Sequence, residues 1–151
     1  MSLIALAFDT GLRRNPGGVT GLAIRIYAGL VTAWVIWAAG FSREDVLSLT
    51  ITFLALMLVL TFLLITPTAH SDKTRLPWYE WLLAALSLAC GIYFVSQAEM
   101  IAQRITLLDE LSDYDVAAAL AIILLSLEAM RRTVGIGLTA IVIAFILYNL
   151  F

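Results

Sequence analysis

The chain has 151 residues, of which 62% are hydrophobic and 13% charged, against about 45–50% and 25% in soluble domains. That much apolar surface cannot be hidden around one core, so bilayer lipid is the expected solvent and no separate soluble domain is expected. A net charge of −2 supplies no basic field for nucleic acid.

Met1–Phe8 is a mildly apolar patch too short for a signal peptide, and Arg13 and Arg14 follow it instead of preceding it. The first spanning helix is therefore expected to act as an uncleaved insertion signal. Residues 1–20 read as a cytoplasmic arm, set off by the turn cluster Asn15-Pro16-Gly17-Gly18. Residues 21–151 read as a single transmembrane helical domain. The fold class is all-α, a polytopic bundle of about five spans (four plus a linking helix) over 22–41, 46–65, 78–95, 116–130 and 134–151. Each stretch approaches the ~20 residues a helix needs to cross ~30 Å of hydrocarbon, the fourth being the shortest.

Trp34 and Trp37, one turn apart, suit the outer interface of the first helix. Ser42-Arg-Glu-Asp45 resembles an N-cap and predicts a tight antiparallel hairpin into the second helix. Ser48, Thr50 and Thr52 in that helix fit helix packing or back-bonding to carbonyls better than a solute path. Thr66-Pro67 ends it, and a polar loop with His70, Asp72, Lys73 and Arg75 follows, the lone histidine reading as a solvated side chain.

The third helix opens with Pro77, and Trp78, Tyr79 and Trp81 suit the headgroup level. Ala85/Ala89 and Ser87/Gly91 are small residues at four-residue spacing that let a second helix approach closely. Cys90 is read as a packed thiol, since a single cysteine makes no internal disulfide. Ile101, Ile105, Leu108 and Leu111 predict an amphipathic segment over 98–111, either an interfacial helix or an extension of the third. Ser112-Asp-Tyr-Asp115 offers an N-cap for the fourth helix.

Glu128 stands three and four residues before Arg131 and Arg132, so all three meet on one helix surface. It is a candidate either for a local ion pair anchoring the membrane boundary or for contact with a partner subunit or acidic lipid. Gly135 and Gly137 allow a tight turn or a close helix contact at the start of the last stretch.

The loops alternate in charge. With five spans, one side receives Arg13, Arg14, Lys73, Arg75, Arg131 and Arg132, with Arg25 just inside the first helix. The other side receives Arg43 and Arg104 together with Glu44, Asp45, Glu99, Asp109, Glu110, Asp113 and Asp115. The positive-inside rule then places the N-terminus in the cytoplasm and the C-terminus outside. Zinc-protease, phosphate-loop and serine-elbow patterns are missing, His and Cys do not cluster, and the apolar stretches hold no pair of acids. Enzyme activity, a cofactor and a metal are not expected.

Two segments carry a family resemblance. Leu76-Pro-Trp-Tyr-Glu-Trp-Leu-Leu-Ala-Ala-Leu is one; Leu127-Glu-Ala-Met-Arg-Arg-Thr-Val-Gly and the apolar run to Leu147-Tyr-Asn-Leu-Phe151 is the other. Across about Arg25 to Phe151 the chain resembles the N-terminal, small-subunit-like region of the fused membrane permease of TAXI-type TRAP transporters. The resemblance implies a multi-pass protein of a bacterial or archaeal cytoplasmic (inner) membrane. It implies a role in secondary import of organic acids, dicarboxylate-like solutes, on a sodium or proton gradient. The implied partners are a large permease (M-type) subunit or domain, a periplasmic substrate-binding protein and membrane lipid. The family's discontinuous substrate-binding helices have no counterpart here, so the chain would be a separate small subunit or a piece of a longer permease. Glu128, Arg131, Arg132, Trp78, Tyr79 and Trp81 match the family's pattern and read as positioning and interface residues, and no substrate ligand carries over. Two alternatives stay open. One is a five-helix membrane anchoring or assembly protein with no transport role. The other is a self-contained channel or small transporter formed by oligomers.

Overall fold

The computed structural model describes residues 11–14, 16–43, 45–68, 71, 76–103 and 112–150. Within them the chain is helical: α1 Gly18–Phe41, α2 Val46–Leu64, α3 Trp78–Ser96, α4 Ala98–Gln103, α5 Asp113–Thr133 and α6 Ile136–Leu150. Of these, α1, α2 and α3 are long and apolar enough to cross a membrane, at 24, 19 and 19 residues. The chain is thus an all-helical, membrane-embedded protein with at least these three helices of spanning length. α5 is 21 residues long but keeps five charged residues, two in its first turn and Glu128, Arg131 and Arg132 near its end. α6 is apolar but has only 15 residues.

Local chemistry sets the helix ends. α1 begins at Gly18, four residues before the predicted start, and Gly18 itself has φ 65°. The cap of α2 is Asp45, not Ser42: the Asp45 carboxylate accepts from Leu47 N at 3.2 Å. Ser42 instead closes α1, donating its backbone N–H to Ala38 O. A capping box starts α5, where Asp115 accepts from Ser112 N at 3.1 Å and Ser112 Oγ accepts from Tyr114 N at 3.4 Å. Gly135, at φ 100°, makes the turn from α5 into α6, and its N–H reaches Met130 O at 3.3 Å. Gly137 is exposed, with open space where a side chain would stand. Of the predicted amphipathic segment over 98–111, residues 98–103 form α4 and the remainder lies outside the described residues, as does His70.

α2 is the central helix, packed against α1, α3 and α5. Its tightest contact is with α3 at Gly91, where an added Cβ would overlap the side chain of Ala55. The Ser87/Gly91 stripe is buried in this interface, whereas Ala85 and Ala89 face outward. The core gathers Ile24, Leu58, Val59, Phe62, Leu63, Ala84, Leu125 and Ala129, drawn from four helices. It lies against the second half of α2. α5 runs antiparallel to α3 and is pinned at both ends, through Arg132–Glu80 and through Tyr93 Oη–Asp115 at 2.7 Å.

Candidate functional site, a buried ion network

The end of the bundle where α2 and α5 stop and α3 starts collects the polar groups. Glu80, in the first turn of α3, is wholly buried. Its Oε2 accepts from Arg132 Nη1 at 2.7 Å, and Arg14 Nη2 lies 3.5 Å from its Oε1. Arg132 Nε donates to Glu128 Oε1 at 2.7 Å. Glu128 also takes a two-pronged contact from Arg131, through Nε and Nη2, each at 2.8 Å. Arg131 reaches on to Pro67 O at 3.2 Å. The guanidinium carbon of Arg132 sits 5.0 Å from the ring centroid of Phe62, so that cation has two carboxylates and an aromatic face around it.

The segment before α1 closes the site. Gly11 N donates to Arg132 O at 2.8 Å, Leu12 N to Thr66 Oγ1 at 2.9 Å, Thr66 N to Leu12 O at 3.0 Å and Arg14 N to Leu64 O at 2.6 Å. Arg13 and Ile65 form an antiparallel bridge across the same contact. Gly11 is required there, because a Cβ would overlap the carbonyl oxygen of Thr66. Residues 11–14 therefore pack on the bundle as a short strap between the ends of α2 and α5.

Sequence reasoning singled out Glu128, Arg131 and Arg132, and the structure brings all three together. It missed Glu80, Arg14, Phe62 and Thr66. Glu80 was visible as an acid among tryptophans at a helix start, but its partner Arg132 is 52 residues away, beyond any helical periodicity. Trp78, Tyr79 and Trp81 are exposed around the start of α3 and take no part in the ion network.

The network ties the ends of α2, α3 and α5 and the strap together. Among the described residues no three of His, Cys, Asp and Glu converge as metal ligands. The hydroxyls of Thr32, Thr50, Thr52, Thr61, Ser87, Ser126 and Thr139 donate to carbonyls four residues back in their own helices. Comparison with known family models, curated proteins and solved structures finds no match.

Proposed function

We propose that the chain is a small integral-membrane scaffold component of a TRAP-type, TAXI-like secondary transporter that imports organic acids with a periplasmic binding protein and an ion gradient. One observation carries the reading: the two segments that bear the resemblance, around residues 76–86 and 127–135, meet in space through Glu80, Arg132 and Glu128. Their unusual polar residues hold helices together, as a brace requires. In this reading α5 and α6 also cross the membrane, giving five spans with the N-terminus in the cytoplasm. The strap, Pro67 and Arg131-Arg132 share one end of the bundle, as an odd-even alternation of spans demands. α6 packs on α5 and leaves Ile141, Ile143, Phe145 and Leu147 exposed around its circumference, an apolar surface suited to lipid or to the helices of a large permease.

Affinity purification of the tagged chain from native membranes in mild detergent tests the proposal. The expected result is a multi-helix permease recovered in stoichiometric amount, or joined to the chain in one polypeptide. A stable solitary chain, or stoichiometric recovery of proteins unrelated to transport, would overturn it in favour of an anchoring or assembly role.

A further inference from the structure

Beside the ion network, the first turn of α1 faces a cavity of about 350 Å³ lined by Arg13, Arg14, Pro16, Gly21, Ile24, Arg25 and Leu64. Among the described residues three cations border it, and no acid does. Arg14 is 2% exposed, yet its Nε and Nη1 have no hydrogen-bond partner, and its one carboxylate contact, to Glu80, is at the 3.5 Å limit. Burying cationic N–H groups without an acceptor is costly, and natural structures seldom leave them so. Arg13 and Arg25 form no ion pair among the described residues. Counting the network, five arginines and two glutamates among the described residues gather at this end. The N-terminus of α1 has no side-chain cap, so its first-turn amides add to the positive field.

A second, apolar cleft of about 360 Å³ adjoins the first at Ile24. It runs between α1 and α3 over Val59 and Leu63 of α2, with Ala23, Tyr27, Trp81, Ala84, Ala85 and Leu88 on its walls. The Tyr27 hydroxyl is buried there and also has no partner. Tyr27 lies six residues past Gly21, about 9 Å further along the helix. Anion-seeking guanidinium groups, an unpaired hydroxyl and an apolar groove supply the chemistries that the phosphate, ester and acyl chain of a phospholipid require.

We propose that this composite cleft binds one anionic phospholipid, its phosphate among Arg13, Arg14 and Arg25 and an acyl chain in the groove between α1 and α3. The phosphate oxygens would accept the open N–H groups of Arg14, and an ester oxygen the hydroxyl of Tyr27. A lipid is favoured over free phosphate because the polar cavity shares a wall residue, Ile24, with an apolar one. A net anionic headgroup is favoured over a zwitterionic one because every charged wall residue among the described residues is cationic. The inference needs a membrane-embedded chain and is independent of any transport role.

The full chain, delipidated in neutral detergent, is titrated with phosphatidylglycerol, phosphatidylcholine or inorganic phosphate, and bound species are read by native mass spectrometry. Phosphatidylglycerol is expected to fill one site, more tightly than phosphatidylcholine. Arg13→Gln with Arg25→Gln, two exposed positions outside the ion network, should weaken it on the order of thirty-fold while leaving the lipid-free melting temperature unchanged. Tyr27→Phe should weaken it by roughly three- to ten-fold. Equal affinity for the two lipids, or affinity undiminished in the arginine variant, overturns the proposal. Inorganic phosphate competing as well as the lipid assigns the site to a free oxyanion and overturns the lipid.

Discussion

At the residue scale the molecule turns on Glu80. It is a buried carboxylate in a chain with eleven acids, and it holds Arg132 and Arg14 at once. Taking such charges out of water is expensive, so the group persists only because its partners are in place. Removing the carboxylate alone leaves the buried Arg14 with no counter-charge and Arg132 with Glu128 as its remaining carboxylate. Glu80→Gln is therefore expected to destabilise the bundle by about 3–5 kcal/mol in a detergent unfolding titration. Replacing the whole cluster by apolar residues of similar size, Arg14→Met, Glu80→Leu and Arg132→Met together, should recover most of that loss. A neutral Glu80→Gln would mean that the network carries no structural load. The sequence exposed only half of this site. Glu128, Arg131 and Arg132 sit on one helical turn, so spacing alone joins them. Glu80, Thr66 and Phe62 join through the meeting of three helix ends, which no local pattern encodes.

At the element scale, apolar length and turn chemistry located the helices well, and the differences lie at their ends. α5 occupies 113–133, not only 116–130, because its capping box begins at Ser112 and its last turn carries the arginines that the ion network holds. Small residues were legible as a motif, but which stripe is used was not: Ser87/Gly91 and Ala85/Ala89 have the same spacing, and only the packing of α2 separates them. Gly91 makes that choice testable. A methyl group there overlaps Ala55, so α2 and α3 must move apart. Gly91→Ala is expected to cost about 1–3 kcal/mol, an overpacking penalty. Ala55→Gly in the same chain removes the obstructing methyl and should restore much of the loss, giving a double-mutant cycle with strong coupling. Additive effects would show that the two residues are not in contact.

At the scale of the whole molecule, the open element is α5, whose charges set it apart from α1, α2 and α3. The geometry favours a membrane crossing for it. α3 is of spanning length, and α5 is tied to it near both ends, at Asp115 and at Arg132. Those two residues are 17 apart, about 26 Å of helix, close to the ~30 Å thickness of hydrocarbon. The charges of α5 then fall at its ends, where Glu128, Arg131 and Arg132 neutralise one another or reach Glu80. Between those ends, Val116–Leu127 carries no charged residue. The proposed five-span arrangement thus predicts that Tyr114 and Val134, both exposed and bracketing α5, lie on opposite faces of the membrane. The buried Cys90 can first be replaced by alanine, and single cysteines introduced as Tyr114→Cys and Val134→Cys. A membrane-impermeant maleimide should label Tyr114→Cys in right-side-out vesicles and Val134→Cys only in inverted ones, if the arginine-rich end is cytoplasmic as the positive-inside rule predicts. Labelling of both from the same face would make α5 a re-entrant or surface helix. It would also take Arg131 and Arg132 out of the charge alternation on which the orientation rests.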